Sequence, residues 1–218
     1  MFDNFDLVPT YLPDGHFGWK HFFGSFENRN AIRKSEDCAI LSIVRNPIDY
    51  LVSFYYNPHH QPKERLTNFI TFLSSPFYSV DGNNIDRKID INIENESRYQ
   101  DIFEMRSVKS RFLYSTIPTL TKNWYFMKYE DLKSAPENLL ENITRKFELI
   151  PKTRRFMVEQ RRVGPPSERN EFEFSNAPLM ENYSIDSSDA KEIIKNRLDF
   201  EIEKLIGYDK NTIIMRLT

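Results

Sequence analysis

An arginine, a serine eight positions later, a tyrosine and a histidine are the side chains of this sequence whose type and spacing suit chemistry. The first two lie in Ile43-Val44-Arg45-Asn46-Pro47-Ile48-Asp49-Tyr50-Leu51-Val52-Ser53. An Arg at the end of a strand can grip a phosphate through two parallel charge-assisted hydrogen bonds. Ser53 falls about two turns along the helix that follows, within reach of the same anion. The plainer alternative is a structural salt bridge for Arg45 and simple packing for Ser53. Tyr129, in Met127-Lys128-Tyr129-Glu130-Asp131-Leu132, closes a second apolar run. There it offers a flat face to a purine and a hydroxyl for a polar contact. Glu130 and Asp131 read as a solvated turn rather than as a paired catalytic carboxylate. His16 stands in Asp14-Gly15-His16-Phe17-Gly18-Trp19-Lys20-His21. Its imidazole titrates nearest neutral pH, which suits removal of a hydroxyl proton; a surface or packing role is the alternative. His59-His60 has no Cys or carboxylate at ligand spacing and makes a poor metal site.

These residues need elements to hold them. Ala39 to Val44 is a short apolar run bounded by charge, the pattern of a buried parallel strand. Asn46 then offers a helix cap and Pro47 the favoured first helical position, which predicts a helix to about Asn57 with Leu51, Val52 and Tyr55 on one face. A second helix is expected over about 63–74, with Leu66, Phe69, Ile70 and Leu73 on one side. Residues 75–98 are polar, carry the turn cluster Asp81-Gly82-Asn83-Asn84 and read as an exposed loop. A helical stretch at about 99–109 leads to a second strand, Trp124 to Lys128. Ser134 and Glu137 have the spacing of a capping box, opening a helix that buries Leu139, Leu140, Ile143 and Phe147. Residues 163–184 read as a long loop. One last helix, about 187–206, carries Ile194, Leu198, Ile202, Leu205 and Ile206 inward and stops at Gly207. Strand–helix alternation of this kind predicts an α/β fold with a parallel sheet, whose ligands sit beyond the carboxyl ends of the strands. Arg45 and Tyr129 both stand at such ends.

Composition excludes several classes. With 30 basic and 32 acidic side chains the net charge is −2, so a sequence-blind nucleic-acid binder is not expected. One cysteine, Cys38, permits neither an intrachain disulfide nor a cysteine zinc cluster and is expected to be a buried, inert thiol. No run reaches the roughly 20 apolar residues that span a bilayer. The opening MFDNFDLVPTYLPDGHF has neither the basic start nor the apolar segment of a signal peptide, which makes the expected location cytoplasmic. The Asn-x-Ser/Thr triplets at Asn95, Asn142 and Asn182 are then read as chance.

The segment from Arg45 to Ser53 closely resembles the 3′-phosphate-binding signature of the sulfotransferase superfamily. Tyr129-Glu130-Asp131-Leu132 is similar to that superfamily's segment whose Tyr approaches the adenine of the donor nucleotide. Gly15-His16-Phe17 is similar to the Gly-His segment of the carbohydrate sulfotransferases related to heparan 2-O-sulfotransferase. Arg162-Val163-Gly164 resembles the late loop that folds over the donor's 3′-phosphate, and Leu198 to Tyr208 the terminal helix. The resemblance covers residues 14–208 of a single domain, 1–218, with 1–13 as an irregular start. It implies an α/β, P-loop-NTPase-like three-layer fold with a parallel sheet. It also implies 3′-phosphoadenosine 5′-phosphosulfate as co-substrate, no metal, and a hydroxyl acceptor, expected to be a carbohydrate. His16 becomes the proposed base with His21 in reserve, Arg45, Ser53 and Arg162 the 3′-phosphate ligands, and Tyr129 the adenine contact; Lys20 reads as a solvated side chain rather than as a partner for developing charge.

One departure from the family pattern concerns the front. Only 15 residues precede His16, and no Gly-x-x-Lys-x-Gly-Thr or Walker-type loop occurs in the sequence, whereas active members grip the 5′-phosphosulfate with such a loop. The first strand and its phosphate loop are therefore expected to be missing, leaving a sheet edge to be covered. An incomplete reading frame, a separate N-terminal piece or oligomer, and a degraded homologue all fit. The functional expectation is sulfuryl transfer, with a nucleotide-binding or interaction module as the alternative.

Overall fold

The computed structural model describes residues 26–34, 36, 38–56, 68–77, 79–81, 84–90, 92, 95, 97–152 and 185–218. His16, Lys20, His21, His59, His60, Arg162 and the expected loop 163–184 lie outside them.

The two strands read from the sequence form as expected. β1 (Ile40–Val44) and β4 (Trp124–Lys128) pair in parallel, with Ile40 opposite Trp124 and Val44 opposite Lys128. Side chains alternate across a strand, and the two faces meet different clusters. Ile40, Val44, Trp124 and Phe126 join the main core, while Leu41, Tyr125 and Met127 pack with Leu132, Leu139, Ile143 and Phe147. Ser42 is the polar interruption on the first face, and the Trp124 indole N–H donates to its hydroxyl at 3.0 Å. Together these observations give a mixed α/β chain with a parallel two-stranded sheet, one face packed on the main core and the other partly covered by the helices Tyr129–Ser134 and Pro136–Phe147.

α2 (Pro47–Tyr56) follows β1 as the capping residues require: the Asn46 side chain accepts the Ile48 N–H at 3.0 Å, and Pro47 takes the first helical position. Leu51 and Val52 are buried in the main core. α1 (Phe26–Lys34) precedes the sheet, and the half-buried Cys38 corrects the expectation of a buried thiol.

Several elements differ from the sequence reading. α3 is short, Phe69–Ser74, because Asn68 caps it by accepting the Thr71 N–H; Ile70, expected inside, is exposed. The expected loop at 75–98 contains an antiparallel pair, β2 (Ser79–Asp81) and β3 (Asn84–Asp90), with the turn cluster between them. The polar majority of the segment obscures its strand signal, the turn cluster followed by alternating Ile85, Ile89, Ile91 and Ile93. α4 (Ile102–Arg111) begins at Asp101, whose carboxylate accepts the Glu104 N–H at 2.8 Å. Glu104 in turn accepts the N–H of Gln100, the residue before the cap, so a capping-box-like exchange forms around Asp101 and Glu104 and none forms at Ser134. Ser134 instead ends α6 (Tyr129–Ser134), and α7 (Pro136–Phe147) starts after Ala135 with no side-chain cap.

Between α4 and α5 (Ile117–Leu120) the helix widens over Phe112–Thr116, where the Ile117 N–H reaches the Phe112 carbonyl five residues back. Pro118 explains it: a proline lacks the N–H and its ring crowds the carbonyl four residues earlier.

The expected single terminal helix is two. α8 (Ser188–Arg197) ends at Leu198, and Asp199 recaps the chain by accepting the Ile202 N–H at 3.1 Å to start α9 (Phe200–Leu205). Asp and its short polar side chain compete with helix continuation. Leu205, expected inside, is exposed. Gly207 stops α9 as foreseen, with φ +88°, the Gly207 N–H on the Lys204 carbonyl and the Tyr208 N–H on the Glu203 carbonyl, a Schellman closure. A further helix, α10 (Lys210–Met215), was not foreseen; Asp209 caps it by accepting the Thr212 N–H at 2.9 Å. Gly207→Ala should lower the unfolding free energy by about 1 to 2 kcal/mol, because a Cβ disfavours this φ. The added carbon would also sit 2.8 Å from Lys128 Cε and Nζ. An unchanged urea midpoint would show that the backbone relaxes there freely.

Candidate functional site

Parallel pairing in register brings the carboxyl ends of β1 and β4 side by side, so Arg45 and Tyr129 emerge as neighbours. The Arg45 guanidinium carbon lies 4.9 Å from the centre of the Tyr129 ring, a cation–π contact. Arg45 Nε is buried and has no hydrogen-bond partner among the described residues. The structural salt bridge weighed as the alternative for Arg45 is not made among them either. A buried donor left without an acceptor is costly, so an unmatched one marks a place where an acceptor belongs. Ser53 is half-buried on α2, the helix that begins two residues after Arg45.

The five residues from Arg45 to Asp49, the elbow between β1 and α2, are tied from several directions. The Arg45 carbonyl accepts from Arg106 Nη2 at 2.9 Å. The Asn46 N–H donates to Glu130 Oε1 at 2.7 Å. Asp49 is held by a two-pronged pair with Arg216, at 2.6 and 3.0 Å. Behind these lies a second set of contacts. Arg106 Nε and Nη2 fork onto Glu203 at 2.5 and 2.8 Å, with both side chains buried, and the guanidinium also lies over the Tyr50 ring. The Tyr208 hydroxyl donates to Glu130 Oε2 at 2.8 Å.

Charge is arranged to match. Burial opposes the charge on Arg106, and the Glu203 carboxylate more than offsets it, leaving the guanidinium pKa raised. Burial, then the Glu130 carboxylate beside it, lifts the Tyr208 hydroxyl above the usual phenol range, so it remains a donor. The hydrogen bonds that Arg216 donates to the Asp49 carboxylate are the main cause raising the pKa of Arg216.

Sequence reasoning placed Arg45 and Tyr129 at the strand ends, and the structure brings these two together. It corrects the reading of Glu130 as part of a solvated turn: the carboxylate accepts a backbone amide from one side and a phenol from the other. Arg106, Glu203, Tyr208 and Arg216 were missed. Their partners lie 61 to 167 residues away in the chain, and no local pattern signals such pairs.

Among the described residues no group of three or more His, Cys, Asp or Glu is placed to hold a metal, and no helix is long and apolar enough to cross a membrane. Comparison with curated proteins gave no match, and neither did comparison with solved structures. A family model described as a sulfotransferase domain matches residues 29–155. That stretch is more than half of the 218 residues and includes β1, the elbow, Ser53, β4 and Tyr129. The chain therefore belongs to the sulfotransferase domain family, whose general chemistry is transfer of a sulfuryl group.

Proposed function

We propose that Arg45 and Ser53 hold the 3′-phosphate of 3′-phosphoadenosine 5′-phosphosulfate, with Tyr129 beside its adenine and Arg162 closing over the phosphate. The observation that carries this reading is the buried, unmatched Arg45 Nε next to Tyr129 at the carboxyl ends of two parallel strands. A phosphate oxygen supplies the missing acceptor, and its charge answers the guanidinium. Arg45 covers one face of the Tyr129 ring, which leaves the rest of the ring for a purine.

The reaction in this reading is sulfuryl transfer to a hydroxyl, with a carbohydrate as the acceptor class. His16 takes the acceptor's proton as the acceptor oxygen bonds to sulfur. The sulfur–oxygen bond to the donor's 5′-phosphate breaks, and adenosine 3′,5′-bisphosphate leaves. The family-like stretch in this reading runs from residue 14 to residue 208.

Titration calorimetry with adenosine 3′,5′-bisphosphate tests the phosphate assignment. Arg45→Ala should weaken binding about tenfold to hundredfold, the range for a charge-assisted pair. Adenosine 5′-phosphate, which lacks the 3′ group, should bind parent and variant alike. Equal affinity of both proteins for the bisphosphate would remove Arg45 from the site. Transfer is tested separately by donor turnover with carbohydrate acceptors: binding without turnover would make this chain a nucleotide-binding module.

A further inference from the structure

The sulfotransferase match ends at residue 155, yet each tie on the elbow that carries Arg45 leads, directly or through one intermediate side chain, to a residue beyond it. Glu203 on α9 fixes Arg106, and Arg106 donates to the Arg45 carbonyl. Tyr208, just after the Gly207 stop, donates to Glu130, and Glu130 accepts the Asn46 N–H. Arg216, at the end of α10, grips Asp49. One C-terminal side chain, Arg216, thus touches the elbow directly, and two more, Glu203 and Tyr208, reach it through Arg106 and Glu130.

We infer that the segment from Phe200 to Arg216 is a positioning clamp for the nucleotide's 3′-phosphate site, acting through Glu203, Tyr208 and Arg216 on the Arg45–Asp49 elbow. This rests on the reading of Arg45 as a phosphate ligand.

The argument is one of geometry. The backbone at Arg45 and Asn46 sets where the guanidinium stands, and a two-pronged phosphate contact tolerates little error in that direction. At a strand-to-helix junction neither the Arg45 carbonyl nor the Asn46 amide is satisfied by a regular ladder, and each needs a partner. Glu130 and Arg106 supply those partners from β4's end and from α4. Each makes a second contact to the C-terminal segment, Glu130 with Tyr208 and Arg106 with Glu203, which restricts the rotamers it can adopt. Tyr208 is itself held in place: its amide closes the Schellman turn, its ring lies under Lys128 Nζ at 5.1 Å, and Lys128 also donates to the Gly207 carbonyl at 2.5 Å. Apolar packing would hold the helices together equally well, but it would not select one orientation of the elbow's polar groups. Glu203, Tyr208 and Arg216 are positioning residues; none is assigned a contact with the nucleotide.

The test uses the full chain with two probes, adenosine 3′,5′-bisphosphate and adenosine 5′-phosphate, and amide hydrogen exchange over residues 44–49. Tyr208→Phe keeps the ring and removes only the donor. It should weaken the bisphosphate roughly fivefold, leave adenosine 5′-phosphate unchanged and speed exchange at the elbow. Glu130→Ala should do more, about tenfold. Glu130→Gln, which still accepts the Asn46 N–H, should recover most of that loss. Parent-like affinity and exchange in both Tyr208→Phe and Glu130→Ala would overturn the clamp, as would equal weakening of the two nucleotides. Arg45→Ala, run alongside, separates the two ideas. If it leaves bisphosphate affinity intact, the phosphate reading fails and exchange alone decides. Faster exchange in Tyr208→Phe then keeps the clamp as a tie on the elbow, and unchanged exchange ends it.

Discussion

Glu203→Ala is expected to lower the unfolding free energy by about 3 to 5 kcal/mol, the cost of leaving one member of a buried ion pair unpartnered. Arg106 and Glu203 are both almost wholly buried and share two hydrogen bonds. Removing the carboxylate strands a guanidinium that cannot shed its charge at any ordinary pH. The loss is read from urea unfolding monitored by the Trp fluorescence. A double replacement, Arg106→Met with Glu203→Leu, should recover much of it, since two apolar side chains of similar volume need no partner. The two single losses should then sum to far more than the double. A loss under about 1 kcal/mol for Glu203→Ala would mean that water reaches the pair.

Leu51→Ala should cost about 3 kcal/mol by the same measurement, through lost burial and the cavity left behind. Leu51 is fully buried on α2, two residues past Asp49 and two before Ser53. Ile43→Ala is the useful contrast. Ile43 lies on β1 but is 48% exposed, and its truncation should cost at most about 1 kcal/mol. Similar losses at the two positions would contradict the placement of the main core against α2.

Both strands of the parallel sheet were legible because a buried parallel strand is a continuous apolar run with charge at its ends, a purely local pattern. α2 was legible for the same reason: Asn46 and Pro47 act on their own next few residues. Boundaries failed where two local signals competed. Asn68 and Asp199 are both good caps inside stretches whose apolar spacing suggests one longer helix, and in each case the cap won. The capping box was assigned to Ser134 and Glu137, although Asp101 and Glu104 have the same spacing. What decided between them was α6, which takes Ser134 as its own last residue. The β2–β3 ribbon was legible in part, since Ile85, Ile89, Ile91 and Ile93 alternate with polar residues after a turn cluster, but the polar majority of 75–98 masks that pattern.

The opening motif shows the same division. Arg45 and Tyr129 were assigned to strand ends from sequence, because the end of an apolar run marks where a side chain leaves the sheet. Their meeting at 4.9 Å follows from parallel pairing in register, which no short segment encodes. Glu130 looked like a solvated residue in its own neighbourhood, and only tertiary structure supplied Asn46 and Tyr208 as its partners. Residue types and their local order determined the strands, the helix after Arg45 and the family's signature. Folding decided which distant charges close on the elbow, because hydrogen bonds and ion pairs depend on distance through space and are blind to distance along the chain.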